Sequence, residues 1–128
     1  MRLLLDTHAL IWWLAADPAL SPTAQDAIAD PGNDVFISAA SAWEIATKYR
    51  IGRLPEAGLL AADVAGFVAA EGFQELPISI RHGQIAGALP RLHRDPFDRI
   101  LVAQAIAAEM TLVSNDAMLA RYAVALLW

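Results

Sequence analysis

Residues 3–13 read Leu3-Leu4-Leu5-Asp6-Thr7-His8-Ala9-Leu10-Ile11-Trp12-Trp13. The three leucines form a short apolar run of the kind that fills a strand buried on both faces. An acid ends the run, and Ala9 to Ala15 then reads as a helix. A buried strand, a carboxylate at its end and a helix behind it make the first unit of an α/β sheet.

The alternation continues along the chain. Asp17-Pro18 breaks the first helix, and Ser21-Pro22 starts another, with serine as cap and proline at the first helical position. Asp30-Pro31-Gly32-Asn33 is a turn signal. Val35-Phe36-Ile37 is the second strand. A helix capped by Ser38 or Ser41 follows it, running to about Ile51 and ending at Gly52. Next come a helix over Ala57 to Glu71 stopped by Gly72, a weak strand within Phe73 to Ile78, and a helix over Ile80 to Ala88 ended by Pro90. Asp95-Pro96 opens a strongly periodic helix. Leu112-Val113 is a further strand, and Asp116 to Arg121 a short helix. Ala123 to Trp128 is either a terminal strand or a buried helix. This order predicts one α/β domain over residues 1–128, with a central, mostly parallel sheet flanked by helices.

Composition limits the function. Of the 128 residues, 57% are hydrophobic and 18% charged, against about 45–50% and about 25% in typical soluble domains. A chain this apolar can offset its folding entropy, so disorder is excluded as its general state. The apolar excess also implies surface covered by a partner or a second copy. Cysteine is absent, which excludes disulfides, thiolate metal sites and a cysteine nucleophile. No apolar run approaches the roughly 20 residues of a membrane span. The acid after three leucines does not fit a signal peptide, so the expectation is a soluble cytoplasmic protein. The net charge of −5 argues at first sight against a nucleic-acid partner. With Asp6, Glu44, Asp95, Asp98 and Asp116 set aside as a candidate site, nine acids remain against nine bases. The excess is no larger than one acidic pocket, and bound divalent cations would offset much of it.

In open α/β sheets, sites form beyond the carboxyl ends of the strands. Asp6 directly follows the first strand, and Asp116 lies three residues after Val113. Glu44 is about two turns into the helix after the second strand, and Asp98 is in the first turn of the helix that starts at Pro96. Four carboxylates gathered at one sheet edge would repel one another, and a divalent cation relieves that. An all-oxygen site suits Mg²⁺ or Mn²⁺ and supports phosphodiester cleavage by an activated water. Each acid also has a purely structural reading. Asp6, Asp95 and Asp116 fit helix caps, and Asp98 fits a favourable place on a helix dipole. Ser41-Ala42-Trp43-Glu44 matches a capping box, and Glu44 with Lys48 has the spacing of a surface ion pair. Residue patterns leave both readings open.

Four stretches carry a family resemblance. Residues Leu3 to Trp13, quoted above, resemble the opening of PIN domains of the VapC type, the toxins of bacterial toxin–antitoxin pairs. Ile37-Ser38-Ala39-Ala40-Ser41-Ala42-Trp43-Glu44-Ile45-Ala46-Thr47-Lys48 is similar to that family's second acidic motif. Arg94-Asp95-Pro96-Phe97-Asp98-Arg99-Ile100-Leu101-Val102-Ala103-Gln104-Ala105 is similar to the third, and Leu112-Val113-Ser114-Asn115-Asp116 to the fourth. The matches stand in order and span nearly the whole chain. The resemblance implies a PIN-like three-layer fold and a Mg²⁺- or Mn²⁺-dependent endoribonuclease. It implies Asp6, Glu44, Asp98 and Asp116 as the catalytic, metal-holding quartet. Asp95 matches a position beside the quartet, and Thr7 and Ser114 match small hydroxyl residues near the metal. It also implies an RNA substrate, a homodimer and a neutralising protein antitoxin.

Other residues carry weaker expectations. Arg94 and Arg99, and also Lys48, are candidates for RNA phosphate contacts, or for balancing the acids beside them. His8, His82 and His93 are too dispersed for a zinc motif. Leu59, Leu60, Val64, Phe67 and Val68 are read as core, with dimer or antitoxin contacts as the alternative. A haloacid-dehalogenase phosphatase would want an acid two residues after Asp6, where His8 stands. A receiver would want an acid at the end of a middle strand, where Ser38 follows Val35-Phe36-Ile37. The alternative to an enzyme is a non-catalytic PIN-like or receiver-like metal-binding interaction module.

Overall fold

The computed structural model describes residues 1–92 and 95–128. Its sheet has five strands, all parallel: β1 (Arg2–Leu5), β2 (Asp34–Ser38), β3 (Gln74–Leu76), β4 (Thr111–Val113) and β5 (Ala125–Leu127), in the order β3-β2-β1-β4-β5. Leu5 pairs with Ile37 on one side and with Val113 on the other. The carboxyl ends of the three central strands therefore open onto one edge. The helices are α1 (Thr7–Leu14), α2 (Pro22–Ala29), α3 (Ala39–Arg50), α4 (Gly58–Ala62), α5 (Val64–Ala70), α6 (Ile80–Ala88) and α7 (Pro96–Ala108). Short 3₁₀ turns occupy Pro55–Ala57 and Ala117–Arg121. Among the described residues, no helix is long and apolar enough to cross a membrane.

Strand alternation builds two cores. Leu3 and Leu5, Val35 and Ile37, and Val113 pack with α1, α2 and α5 residues such as Leu10, Ile28 and Val68. Leu4 and Leu112 point the other way, onto Leu101, Val102 and Ala105 of α7. Phe36 and Leu126 join this second face. Helix α3 serves both cores, with Ile45 in the first and Ala40 in the second. This position lets α3 carry a side chain to the sheet edge between them.

Local signals explain most boundaries. The Ser21 side chain accepts from the Ala24 N–H at 3.1 Å and Pro22 opens α2. Ser38, rather than Ser41, caps α3, accepting from the Ala40 N–H at 3.0 Å. Gly52 and Gly72 take φ of +78° and +73° in the turns that end α3 and α5, a conformation that glycine adopts without penalty. The single helix expected over Ala57 to Glu71 is in fact broken. Asp63 leaves the helical conformation (φ −156°, ψ 71°), and its side chain caps α5 by accepting from the Gly66 N–H at 2.9 Å. Aspartate favours such a cap over a helix interior. The terminal segment is a strand, because β4 offers it a free parallel edge.

Leu4 is fully buried in the central strand, whereas Leu59 is 82% exposed. Leu4→Ala is expected to lower unfolding stability by about 2–5 kcal/mol. Leu59→Ala should stay within about 0.5 kcal/mol of the parent. Urea denaturation of both variants checks the contrast.

Candidate functional site

Asp6 and Ser114 stand just beyond the adjacent strands β1 and β4. The Asp6 backbone N–H donates to the Val113 carbonyl at 3.0 Å, which locks the two strand ends together. The Asp6 carboxylate is buried, and its Oδ1 accepts from the Ala9 N–H at 2.7 Å. The Ser114 hydroxyl stands beside the same carboxylate and favours its charged form. It also accepts from the Asp116 N–H at 3.1 Å. Asp116 Oδ1 in turn accepts from the Met118 N–H at 2.9 Å, capping the following 3₁₀ turn. One buried serine thus holds the backbone of Asp116 beside Asp6.

A second tie crosses from the start of α1 to α3. Glu44 is 3% exposed. The Thr7 hydroxyl donates to Glu44 Oε1 at 2.5 Å and lies 3.1 Å from the Ser41 hydroxyl. Lys48 Nζ donates to Glu44 Oε2 as an ion pair one turn along α3. The expected capping box is therefore corrected. Glu44 faces Thr7 and Lys48 instead of returning to the helix start, and its pair with Lys48 lies against the interior.

Helix α7 brings the third group. Asp95 Oδ1 caps it by accepting from the Phe97 N–H at 2.9 Å, and Asp98 is half-buried in its first turn. Phe97 packs edge-on against Trp43 of α3, with ring centroids 4.8 Å apart. Lys48 Nζ lies 6.0 Å from the Phe97 ring centroid. Lys48 feels the charges of both Asp95 and Asp98 as well as that of Glu44. The two residues before the acids, Trp43 and Phe97, thus dock α3 on α7.

The electrostatics follow from burial. Desolvation pushes the Asp6 carboxyl above its ordinary range. The bonds from Ser114 and the Ala9 N–H, together with His8, pull it back only in part, and Glu44 adds to the rise. For Lys48, burial acts to lower the pKa. The bond to Glu44 and the charges of Glu44, Asp95 and Asp98 outweigh it, so the ammonium form is held more tightly than usual.

The remaining expectations distribute differently. The capping readings of Asp6, Asp95 and Asp116 hold in the structure, and each uses one carboxylate oxygen. Thr7 bonds the Glu44 carboxylate from another segment instead of capping locally, whereas Ser114 accepts from the local Asp116 N–H beside Asp6. The Arg99 guanidinium donates to the carbonyls of Ala86, Leu89 and Pro90 at 2.7, 2.9 and 3.0 Å, which fastens the end of α6 to α7. Arg94 and His93 lie outside the described residues. His8 is exposed and tilted against Trp12 at 5.5 Å. Leu60 and Val68 are core, whereas Leu59 and Phe67 face outward beside a groove of about 410 Å³ between α1 and α4–α5. Sequence reading missed Ser41 as a partner of Thr7 and Lys48 as a hub. The signal was present: both lie one helical turn from Glu44, on its face of α3.

Among the described residues, no three His, Cys, Asp or Glu side chains stand close enough to hold an ion as they are. The acids meet through Ser114, Thr7 and Lys48. The donor set nevertheless fits a hard divalent cation: it is all oxygen, and the charge of buried Glu44 acts on buried Asp6.

The raised Asp6 pKa has a stability consequence. The native state binds the Asp6 proton more tightly than the unfolded chain, whose value is about 3.9. Stability is therefore lost as pH rises from that value through the raised native one. Asp6→Asn keeps an oxygen for the Ala9 N–H and removes the charge. Melting in EDTA should show this variant more stable than the parent at pH 7, with the gap closing near pH 3.5. A parent that melts higher at pH 7 would contradict the burial argument.

Comparisons with known proteins agree with this architecture. VapBC2 from Rickettsia felis, solved bound to a DNA fragment from its promoter, superposes with a TM-score of 0.74 at 19% identity, covering 99% of this chain and 98% of that one. VapBC-1 from nontypeable Haemophilus influenzae gives 0.64 at 14% identity over 99% and 97%. FitAcB from Neisseria gonorrhoeae gives 0.62 at 16% identity over 98% and 96%. These likenesses establish the fold. No curated protein matches the chain. The family model for the PIN domain matches residues 3–125. With nearly its whole length matched, the chain belongs to the PIN domain family.

Proposed function

We propose that this chain is a divalent-metal-dependent endoribonuclease and the toxin of a toxin–antitoxin pair. The observation that carries the reading is the burial of Asp6 and Glu44, within electrostatic reach of each other, at the carboxyl edge of a parallel sheet. Burial of two like charges is costly unless something positive joins them. Family membership supports a nuclease, and the neighbouring VapBC and FitAB structures support a paired partner.

In this reading Asp6, Glu44, Asp98 and Asp116 hold Mg²⁺ or Mn²⁺, with Asp95 beside them. Bound there, the ion supplies an activated water and positive charge against the phosphodiester oxygens. The protein's own contribution is orientation. Thr7 holds Glu44 Oε1, and Ser114 holds the Asp116 backbone beside the Asp6 carboxylate. Such supporting hydrogen bonds set ligand geometry. The partners proposed with this function are RNA, a protein antitoxin and a second copy of the chain. Outward apolar residues such as Leu59 and Phe67 supply surface for a protein partner to cover. One observation favours a second reading, a binding module without catalysis: the acids do not form a three-carboxylate cluster among the described residues.

The two readings separate in one assay. Purified protein is expected to cleave a mixed structured RNA pool with Mg²⁺ or Mn²⁺, and not with EDTA. Glu44→Gln and Asp98→Asn should each lower the rate by more than about 100-fold, beyond the usual effect of outer-shell changes, while remaining folded. Full activity in Asp98→Asn would remove that residue from the site. Metal binding without cleavage of any RNA in the pool would favour the binding module.

A further inference from the structure

Lys48 has three features that an ordinary helix-surface lysine lacks. Its ammonium is paired with a carboxylate that is 3% exposed. It feels two more carboxylates, Asp95 and Asp98, from a different helix. It lies beside the Phe97 ring, which is itself packed against Trp43. A flexible lysine at an i, i+4 spacing gains little from a solvated ion pair. Here the carboxylate is buried, and the pair links α3 to the start of α7 through charge.

From this geometry we infer that Lys48 is a built-in counter-cation of the acidic site, occupying Glu44 Oε2 when no metal is bound and competing with a divalent ion for that carboxylate. The inference rests on the metal-site reading above. Each Glu44 oxygen already accepts one bond, from Thr7 at Oε1 and from Lys48 at Oε2, so a cation that approaches this carboxylate meets the ammonium charge at Oε2. A fixed positive charge at this place lowers the repulsion among the acids without metal, and it opposes the approach of a second cation. Lys48 is therefore a positioning residue that sets metal affinity. The long side chain can swing away from Oε2 without moving the helix, so displacement needs only rotamer changes.

Mn²⁺ affinity, read by electron paramagnetic resonance on the parent, Lys48→Gln and Lys48→Arg, tests the inference. Melting without metal is recorded for each. Lys48→Gln is expected to bind Mn²⁺ at least about tenfold more tightly and to melt lower in EDTA. Its melting difference from the parent should shrink or reverse when Mn²⁺ is added. Lys48→Arg, which keeps the charge, should stay near the parent affinity. A merely structural lysine would give the opposite sign, with Lys48→Gln binding Mn²⁺ more weakly as the site loosens. Unchanged or weaker binding in Lys48→Gln overturns the inference while leaving a metal site in the parent intact. Binding that appears only in Lys48→Gln supports it. Absence of Mn²⁺ binding in all three proteins overturns both the inference and the metal-site reading.

Discussion

Glu44 is a carboxylate with almost no access to water, and the acidic edge of this protein is organised around that fact. Removing one partner from a buried ion pair costs about 3–5 kcal/mol, because the remaining charge stays desolvated. Glu44 meets the constraint from two sides, through the Thr7 hydroxyl on the helix that follows β1 and through Lys48 on its own helix. Through Thr7, the end of the central strand is coupled to α3. Through Lys48, α3 is coupled to the charges at the start of α7. Glu44 thereby joins two segments directly, and the charge of Lys48 reaches a third.

The sheet makes this convergence geometrically cheap. With all five strands parallel, the residues after β1, β2 and β4 leave from the same edge. Asp6, Ser38 and Ser114 each stand at or just beyond a strand end, and each bonds the start of the next segment. A cap that starts a helix and a carboxylate that serves a site are here the same group, using different oxygens. The structural and functional readings of Asp6 are therefore compatible. The supporting hydroxyls are buried for the same reason as the acids: they satisfy polar groups that water does not reach.

Much of the fold was legible because its signals are local. Ser21-Pro22, Gly52, Gly72 and Asp95-Pro96 mark helix ends through capping chemistry that depends on few neighbours. The apolar runs at Leu3-Leu4-Leu5 and Val35-Phe36-Ile37 mark strands buried on both faces. The break at Asp63 was hidden, since apolar periodicity continues through it and the deciding cap is one hydrogen bond to Gly66. The final strand was ambiguous until β4 supplied its edge. The acids were legible by position, yet their connections were not. Spacing suggested that Glu44 returns to Ser41 or pairs with Lys48 at the surface. Only tertiary packing shows Thr7 taking one oxygen and the Lys48 pair turned inward. Spacing offered Arg99 as a phosphate contact or as a balance for the acids beside it, and only packing shows the three carbonyls at the end of α6 that its guanidinium engages.

The central claim is that the buried acids at the sheet edge form one divalent-cation site. Anomalous diffraction from crystals soaked in Mn²⁺ tests it most directly, because it locates the ion independently of any substrate. The account expects a peak bonded to Asp6 and to at least one of Glu44, Asp98 and Asp116, at metal–oxygen distances of about 2.0–2.2 Å. A Mn²⁺ peak bound elsewhere, with Lys48 still seated on Glu44 and no metal at Asp6, would contradict it.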